Sequence, residues 1–264
     1  MLMINLLRKW LAHPLLRGLA LDTPSTLESR REIIRRNAFL WKIYQEWYDN
    51  LRVALPGGAG ALLEIGSGWG GLSEYIPNLI TSEVFFCPYV RVVLDGQSLP
   101  FQDGALHGIL MTDVLHHIPR VRQFLAEAAR CVRPGGVVTM IEPWVTPWSR
   151  LIYTKMHHEP FDTQTDVWEI PPGGPLSGAN GALPWIIFQR DRELFERDFP
   201  QWKLEIIHPM MPFRYLVSGG VSLRPLMPLW SYPLWSELEK LLAPWMDSWA
   251  MFAQITLRRI LVPE

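Results

Sequence analysis

Apolar positions recur every three to four residues from Leu27 through Ile33, Ile34, Leu40, Ile43, Tyr44 and Trp47, with charges between them. That period predicts one amphipathic helix over 28–52, closed by Pro56-Gly57-Gly58. Beyond these glycines the pattern changes to short apolar runs separated by turn residues. Strands are expected at 61–65, 80–84, 90–94 and 108–113, with a short helix at 72–79 broken near Pro77. Pro119 opens a further helix whose buried face is Val121, Phe124, Leu125, Ala128 and Val132. Pro134-Gly135-Gly136 stops it, and 137–141 returns as a buried strand. Strand–helix alternation with short turns predicts an α/β fold on a parallel, doubly wound sheet.

After Pro143 the texture shifts again. Residues 144–189 hold Trp144, Trp148, Trp168 and Trp185 and the loop Pro171-Pro172-Gly173-Gly174-Pro175. They read as an insertion or lid rather than a separate domain, because regular patterning resumes: a helix at 191–199, a strand at 204–213, a helix at 234–246 interrupted at Pro244, and a last strand at 251–258. The chain thus divides into an N-terminal helical segment, 1–56, and one large domain, 57–264. Residues 1–21 are apolar but broken by Arg8, Lys9, His13, Pro14 and Arg17. They fit an N-terminal helix packed on the domain, with an interfacial helix as the other reading, and no secretory leader.

Composition narrows the class. The 264 residues carry 25 Lys+Arg against 26 Asp+Glu, a net charge of −1 that argues against an electrostatic nucleic-acid binder. A hydrophobic fraction of 48% excludes disorder, and Cys87 and Cys131 are too few for a disulfide framework. A cytoplasmic protein follows, with room for a peripheral membrane contact and with the oligomeric state left open. The 13 Trp point to a greasy pocket, an interface or a membrane-surface face rather than ordinary core alone.

The chemistry concentrates after the first strand, in Glu64-Ile65-Gly66-Ser67-Gly68-Trp69-Gly70-Gly71. Glycines there let the backbone turn sharply and approach a ligand closely. Three further motifs follow: Asp95-Gly96-Gln97-Ser98-Leu99-Pro100-Phe101, Asp113-Val114-Leu115-His116-His117-Ile118, and Arg133-Pro134-Gly135-Gly136. Together, over 60–143, they resemble the class I S-adenosylmethionine-dependent methyltransferases, nearest to the subgroup with the ubiquinone, menaquinone and many small-molecule enzymes.

That resemblance implies a Rossmann-like seven-stranded sheet with a reversed last strand, and S-adenosylmethionine as cofactor. Glu64 and the loop Gly66, Ser67, Gly68 and Gly70 would line its methionine part. Glu83 would hold the ribose diol, and Asp95 the adenine amino group, with Gln97, Ser98 and Leu99 beside the ring. Asp113 and His116 would sit near the methyl donor, and Tyr44 would cap the cofactor from the preceding helix.

The implied activity is methyl transfer to a small, hydrophobic or amphipathic acceptor, at oxygen before carbon or nitrogen. A hydroxyl acceptor needs a base, for which His117, His158 and Glu142 are the candidates in that order. Adjacent histidines such as His157 and His158 do not share a helical face, so no metal site is expected. Gly66, Gly68 and Gly71 also satisfy the dinucleotide pattern, which keeps an NAD(P)-dependent oxidoreductase as the rival. Its active-site Tyr and Lys stand four apart, whereas Tyr153 and Lys155 here do not. A non-catalytic or non-methylating relative is the remaining alternative.

Overall fold

A computed structural model describes residues 11–157, 159–170 and 173–261. Seven strands form one sheet: β1 (Ala61–Ile65), β2 (Ile80–Glu83), β3 (Val92–Val93), β4 (Leu106–Thr112), β5 (Val132–Pro143), β6 (Trp202–Met210) and β7 (Phe252–Arg259). Their spatial order is β3-β2-β1-β4-β5-β7-β6. The pairs through β5 are parallel, and β7 runs antiparallel to both β5 and β6. This is the Rossmann-like sheet with one reversed strand. A dinucleotide-binding sheet of order 3-2-1-4-5-6 has no such strand wedged before its edge.

The central strands are apolar on both faces, and period-two alternation deals their side chains into two cores. Ile109, Met111, Met140, Ile255 and Leu257 enter one core with helix α3 (Val121–Cys131) and residues 182–199. Leu110, Ile141 and Phe252 enter the other, beneath α1 (Pro24–Arg36) and α2 (Ala38–Val53).

Several boundaries differ from the sequence pattern. The single helix expected over 28–52 is two helices. Asn37 leaves the helical region (φ −95°, ψ 91°), its Oδ1 accepts from the Leu40 N–H, and its Nδ2 donates to the Ser218 carbonyl. Asn is a preferred N-cap, and here the cap outweighs a continuous apolar stripe. The helix expected at 72–79 is a single 3₁₀ turn, Gly71–Glu74. Pro77 lacks the N–H a helix would need to continue. Pro134-Gly135-Gly136 lies inside β5 as an irregularity, since α3 has already ended at Cys131.

Within 144–189, α4 (Pro147–Met156) starts on a capping box between Thr146 and Ser149. Trp144, Trp168, Leu183, Ile186, Ile187 and Phe188 are buried in the first core. Of the apolar N-terminus, Leu11 is helical, and residues 12–21 form a bridge from Ala12 to Leu223 and one 3₁₀ turn; the rest of the helix expected there falls on residues 1–10, outside the described set. No helix among the described residues is long and apolar enough to cross a membrane. Cys87 and Cys131 are buried free thiols.

Further helices include α5 (Arg192–Asp198), α6 (Arg214–Ser218) and α7 (Tyr232–Leu241). In α6 the Arg214 guanidinium bridges Glu46 and Glu239, which ties this short helix to α2 and α7.

Candidate active site

Strand ends on one side of the sheet open into a cavity of about 560 Å³, within the range that holds a drug-sized ligand. At one end stands the glycine loop after β1. Gly66 adopts φ 65°, and a Cβ there would lie 2.5 Å from the Val114 side chain, so this position admits only glycine. Gly68 adopts φ 55° and faces open space, a cradle in which a ligand can meet bare backbone. Glu83, at the end of β2, accepts from the Gly68 N–H at 2.7 Å and the Val84 N–H at 3.2 Å. Its carboxyl is raised by burial, partly offset by those two N–H groups.

Asp95 and Gln97 form the next stretch of wall. The Asp95 carboxylate accepts from the Gln97 backbone and side-chain amides, and Gln97 Oε1 accepts from Arg120. Ile65, Leu94 and Ile118 make the wall apolar between these polar groups, as a flat ring requires. Tyr44 and Trp69 approach edge-on, ring centroids 6.1 Å apart, and both line the cavity.

At the end of β4, Asp113 sits in the left-handed region (φ 63°) and lines the cavity; burial pushes its carboxyl up to about 6. The 3₁₀ turn Leu115–His117 follows. His116 is fully buried beneath the wall. Its Nδ1 lies 2.7 Å from Glu142 Oε2, while Glu142 Oε1 accepts from the Val114 and Leu115 N–H groups. Burial pushes the His116 imidazole down, but Glu142 and Glu159 beside it carry it well above its ordinary value. His117 lines the cavity, with Nδ1 3.0 Å from the Gly178 carbonyl. Burial, then the charge of His116, push it down to about 3.

Of the residues expected to touch cofactor, Tyr44, Gly66, Gly68, Glu83, Asp95, Gln97 and Asp113 line the cavity. Others sit behind it. Ser67 Oγ accepts from the Ser82 N–H and stitches the glycine loop to β2. Gly70 adopts φ 79° and caps the following turn. Ser98 closes a turn on the Asp95 carbonyl, and Leu99 is buried in the first core. Glu64 is buried behind the loop, where desolvation raises it to about 8, and its Oε2 has no hydrogen-bond partner among the described residues. His116 and Glu142 lie under the floor, so Glu142 is not at the mouth: both its oxygens are occupied holding the β4 turn and His116. His158 lies outside the described residues.

The far wall comes from residues that local sequence patterns do not mark. Arg30 of α1, Tyr215 of α6, and Gly173 to Leu176 all face the cavity. The last segment is held by Asp22, which accepts from the Leu176 and Ser177 N–H groups and the Ser177 hydroxyl at 2.6–2.9 Å. Arg30 has a sequence signal in retrospect. It shares a helical face with Leu27 and Ile34, which also line the cavity. Trp144, Trp148, Trp168 and Trp185 are not part of the lining.

Among the described lining residues, Glu83, Asp95, Asp113 and Glu159 bring four carboxyl groups against the one guanidinium of Arg30. Such a cavity selects for a cationic ligand. S-adenosylmethionine fits this donor set: a sulfonium and an ammonium for the carboxylates, a diol for Glu83, an adenine for the apolar wall, and backbone approach at Gly68. The oxidoreductase arrangement does not fit. The Tyr153 hydroxyl is buried and donates to the Met251 carbonyl, away from the cavity.

Comparison with known proteins agrees with the geometry. Residues 63–140 match the family model of a methyltransferase domain. A fatty-acid O-methyltransferase of Mycolicibacterium smegmatis is 31% identical over 93 residues, covering 28% of this chain and 34% of that protein. The chain therefore spans about a third of the length of that curated relative.

Among solved structures, a complex of the Haloferax volcanii Trm112 methyltransferase activator with a putative methyltransferase superposes with a TM-score of 0.54. The two are 9% identical, and the match covers 93% of this chain and 100% of that one. Geranyl diphosphate C-methyltransferase from Streptomyces coelicolor gives a TM-score of 0.48 at 14% identity, over 95% and 91% of the two chains. Residues 63–140 thus carry a methyltransferase domain, and the sheet order and the cavity around them agree with it. S-adenosylmethionine is the cofactor that this domain and the donor set of the cavity call for.

Proposed function

We propose that the whole chain is a methyltransferase that moves the methyl group of S-adenosylmethionine to an acidic oxygen of a small, largely apolar acceptor. The observation that carries the choice of oxygen is the state of the groups at the acceptor end. His117 is held down to about 3, and Glu142 has both oxygens engaged, so neither is a strong proton acceptor. An acceptor oxygen that ionises by itself, a carboxylate or an acidic phenol, needs no strong base. The fatty-acid O-methyltransferase relative supports this direction. In the step, an oxygen lone pair forms the new C–O bond while the C–S pair returns to sulfur, leaving a thioether; the enzyme aligns the three atoms and excludes water.

In this reading Gly66, Gly68, Glu83, Asp95 and Gln97 hold the cofactor, with Tyr44 and Trp69 over it. Glu64, Ser67, Gly70, Ser98 and Leu99 shape that cradle from behind. Asp113 stands between donor and acceptor. His157, Glu159 and the stretch from Gly173 to Leu176, all within 144–189, cover the cavity, and Arg30 and Tyr215 complete the acceptor wall.

The test is transfer from methyl-labelled cofactor to a panel of apolar carboxylic acids, phenols and aliphatic alcohols, with calorimetry against S-adenosylhomocysteine and NAD. Methyl esters or ethers of the acidic members are expected, with no NAD binding. Carbon- or nitrogen-methylated products would overturn the oxygen assignment, and NAD binding without the sulfonium series would overturn the class.

A further inference from the structure

An ionised acceptor oxygen would arrive beside Asp113 and Glu159, and like charges there repel it. The same corner holds an arrangement that resolves this. His116 anchors Nδ1 on the Glu142 carboxylate, and His117 anchors Nδ1 on the Gly178 carbonyl. Each imidazole thereby presents Nε2 to the other side, the way a metal-bound histidine is held by an oxygen behind it. His116 Nε2 lies 3.5 Å from Glu159 Oε2, and His117 Nε2 lies 3.8 Å from Glu159 Oε1. The three possible ligand atoms all fall within 4.8 Å of one another.

The burial of these groups adds a second, independent observation. The His116 side chain is 1% exposed, yet its Nε2 has no hydrogen-bond partner among the described residues. That nitrogen faces the Glu159 carboxylate at the outer limit of hydrogen-bond distance, so in this dry place a bridging ion would satisfy both groups. Asp113 Oδ1, 4.0 Å from the same nitrogen, adds negative charge on the cavity side.

We infer that His116, His117 and Glu159 form a binding site for a divalent transition-metal ion, with the cavity side left open for the acceptor's oxygen. Two imidazoles and one carboxylate favour zinc, cobalt, nickel or ferrous iron over magnesium or calcium. Bond lengths of about 2.0–2.2 Å imply ligand edges of roughly 3.4 Å in a tetrahedron, so the two Glu159 edges need closing by a few tenths of an ångström and the two imidazoles by up to about 1.4 Å. Three protein ligands and one open position are the pattern of a working site rather than a structural one. The ion would hold the acceptor oxygen against the methyl carbon and offset Glu159 and Asp113. Its role in catalysis rests on the methyl-transfer reading; its existence does not.

The sequence conceals this site. Adjacent histidines on an α-helix diverge, but on the turn Leu115–His117 their rings lie 4.2 Å apart, and the third group comes from beyond α4. The test is titration of chelator-treated protein with Co²⁺ and with Zn²⁺, followed by visible absorption of bound Co²⁺ and by metal content. One ion per chain is expected, with affinity falling by on the order of 10²-fold in Glu159→Gln and in His117→Ala. The exposed His208→Ala variant should bind as the wild type does. Thermal unfolding checks that each variant folds, and Glu159→Gln, being isosteric, carries the test where His117→Ala does not. Absence of Co²⁺ binding, or binding that neither variant weakens, would overturn the site. S-adenosylhomocysteine affinity, measured on the same samples, reports separately on the methyltransferase reading.

Discussion

The two ends of the cavity are built differently. The end proposed to hold the cofactor is made of strand-end loops whose residues are close in sequence: Gly66 and Gly68 after β1, Glu83 at the end of β2, Asp95 and Gln97 after β3. Each is placed by the sheet itself. The acceptor end is assembled across long gaps, with Asn180 N–H on the His116 carbonyl, His117 on Gly178, and Leu176 on Asp22. A rigid cradle therefore meets a wall held by a few polar contacts, and such contacts are where affinity for different acceptors is most easily changed.

If that contrast is right, the largest effect belongs to the cradle. Gly66→Val places a branched side chain against Val114 at a positive φ, and S-adenosylhomocysteine binding should fall by at least ~10²-fold in calorimetry. Asp95→Ala removes the proposed adenine contact and loosens Gln97; a loss of about 10- to 100-fold is expected, for the free energy of one or two charge-assisted hydrogen bonds. Retained affinity in both would place the cofactor elsewhere.

Asp22→Ala probes the other end. It frees Leu176 and Ser177, so the acceptor KM should rise by about tenfold while cofactor affinity stays within about twofold. Equal loss in both constants would show that the two ends are one unit.

A smaller, pH-dependent effect comes from Glu64. Its folded value, about 8, lies above the ordinary 4.5, so the folded state favours the protonated acid. The stability this contributes is fully present below the ordinary value and is lost as pH rises through about 8. Between pH 5 and pH 9 the cofactor-free protein should lose stability on the order of a few kcal/mol relative to Glu64→Gln, which keeps only the slope set by the other raised carboxyls, Asp113 and Glu83. Parallel profiles would mean that Glu64 titrates normally. The smallest change in turnover is expected for Trp148→Ala. This residue packs on Phe213 and Trp249 outside the cavity, so turnover should stay within about twofold although the melting temperature falls.

The contrast also explains what was legible. Strand ends and glycine turns are local patterns, so the sheet and Gly66, Gly68, Glu83 and Asp95 stand out in sequence. Arg30, Tyr215 and Leu176 do not, because their place depends on how α1, α6 and a loop pack rather than on their neighbours in the chain. The His157-His158-Glu159 cluster is visible as polar residues in a Trp-rich stretch, but the approach of Glu159 to His116 and His117 is a tertiary fact. Apolar content misleads in the same way. Trp144 and Trp168 read as pocket wall or interface, whereas both are core. Asn37 shows the reverse case, a cap legible by residue type but hidden inside a strong helical period.

The position of β7 has a consequence for how the chain acquires its structure. β7 lies between β5 and β6, although it follows both in sequence. Until residues 252–259 are present, β5 keeps an open edge and β6 has no strand to pair with. The parallel half with the cofactor cradle can form early, but the sheet closes only after contacts of long sequence separation, which fold slowly. During synthesis the apolar edge of β5 is thus the surface most exposed to wrong pairing, and the delay is set by topology rather than by the stability of the finished fold.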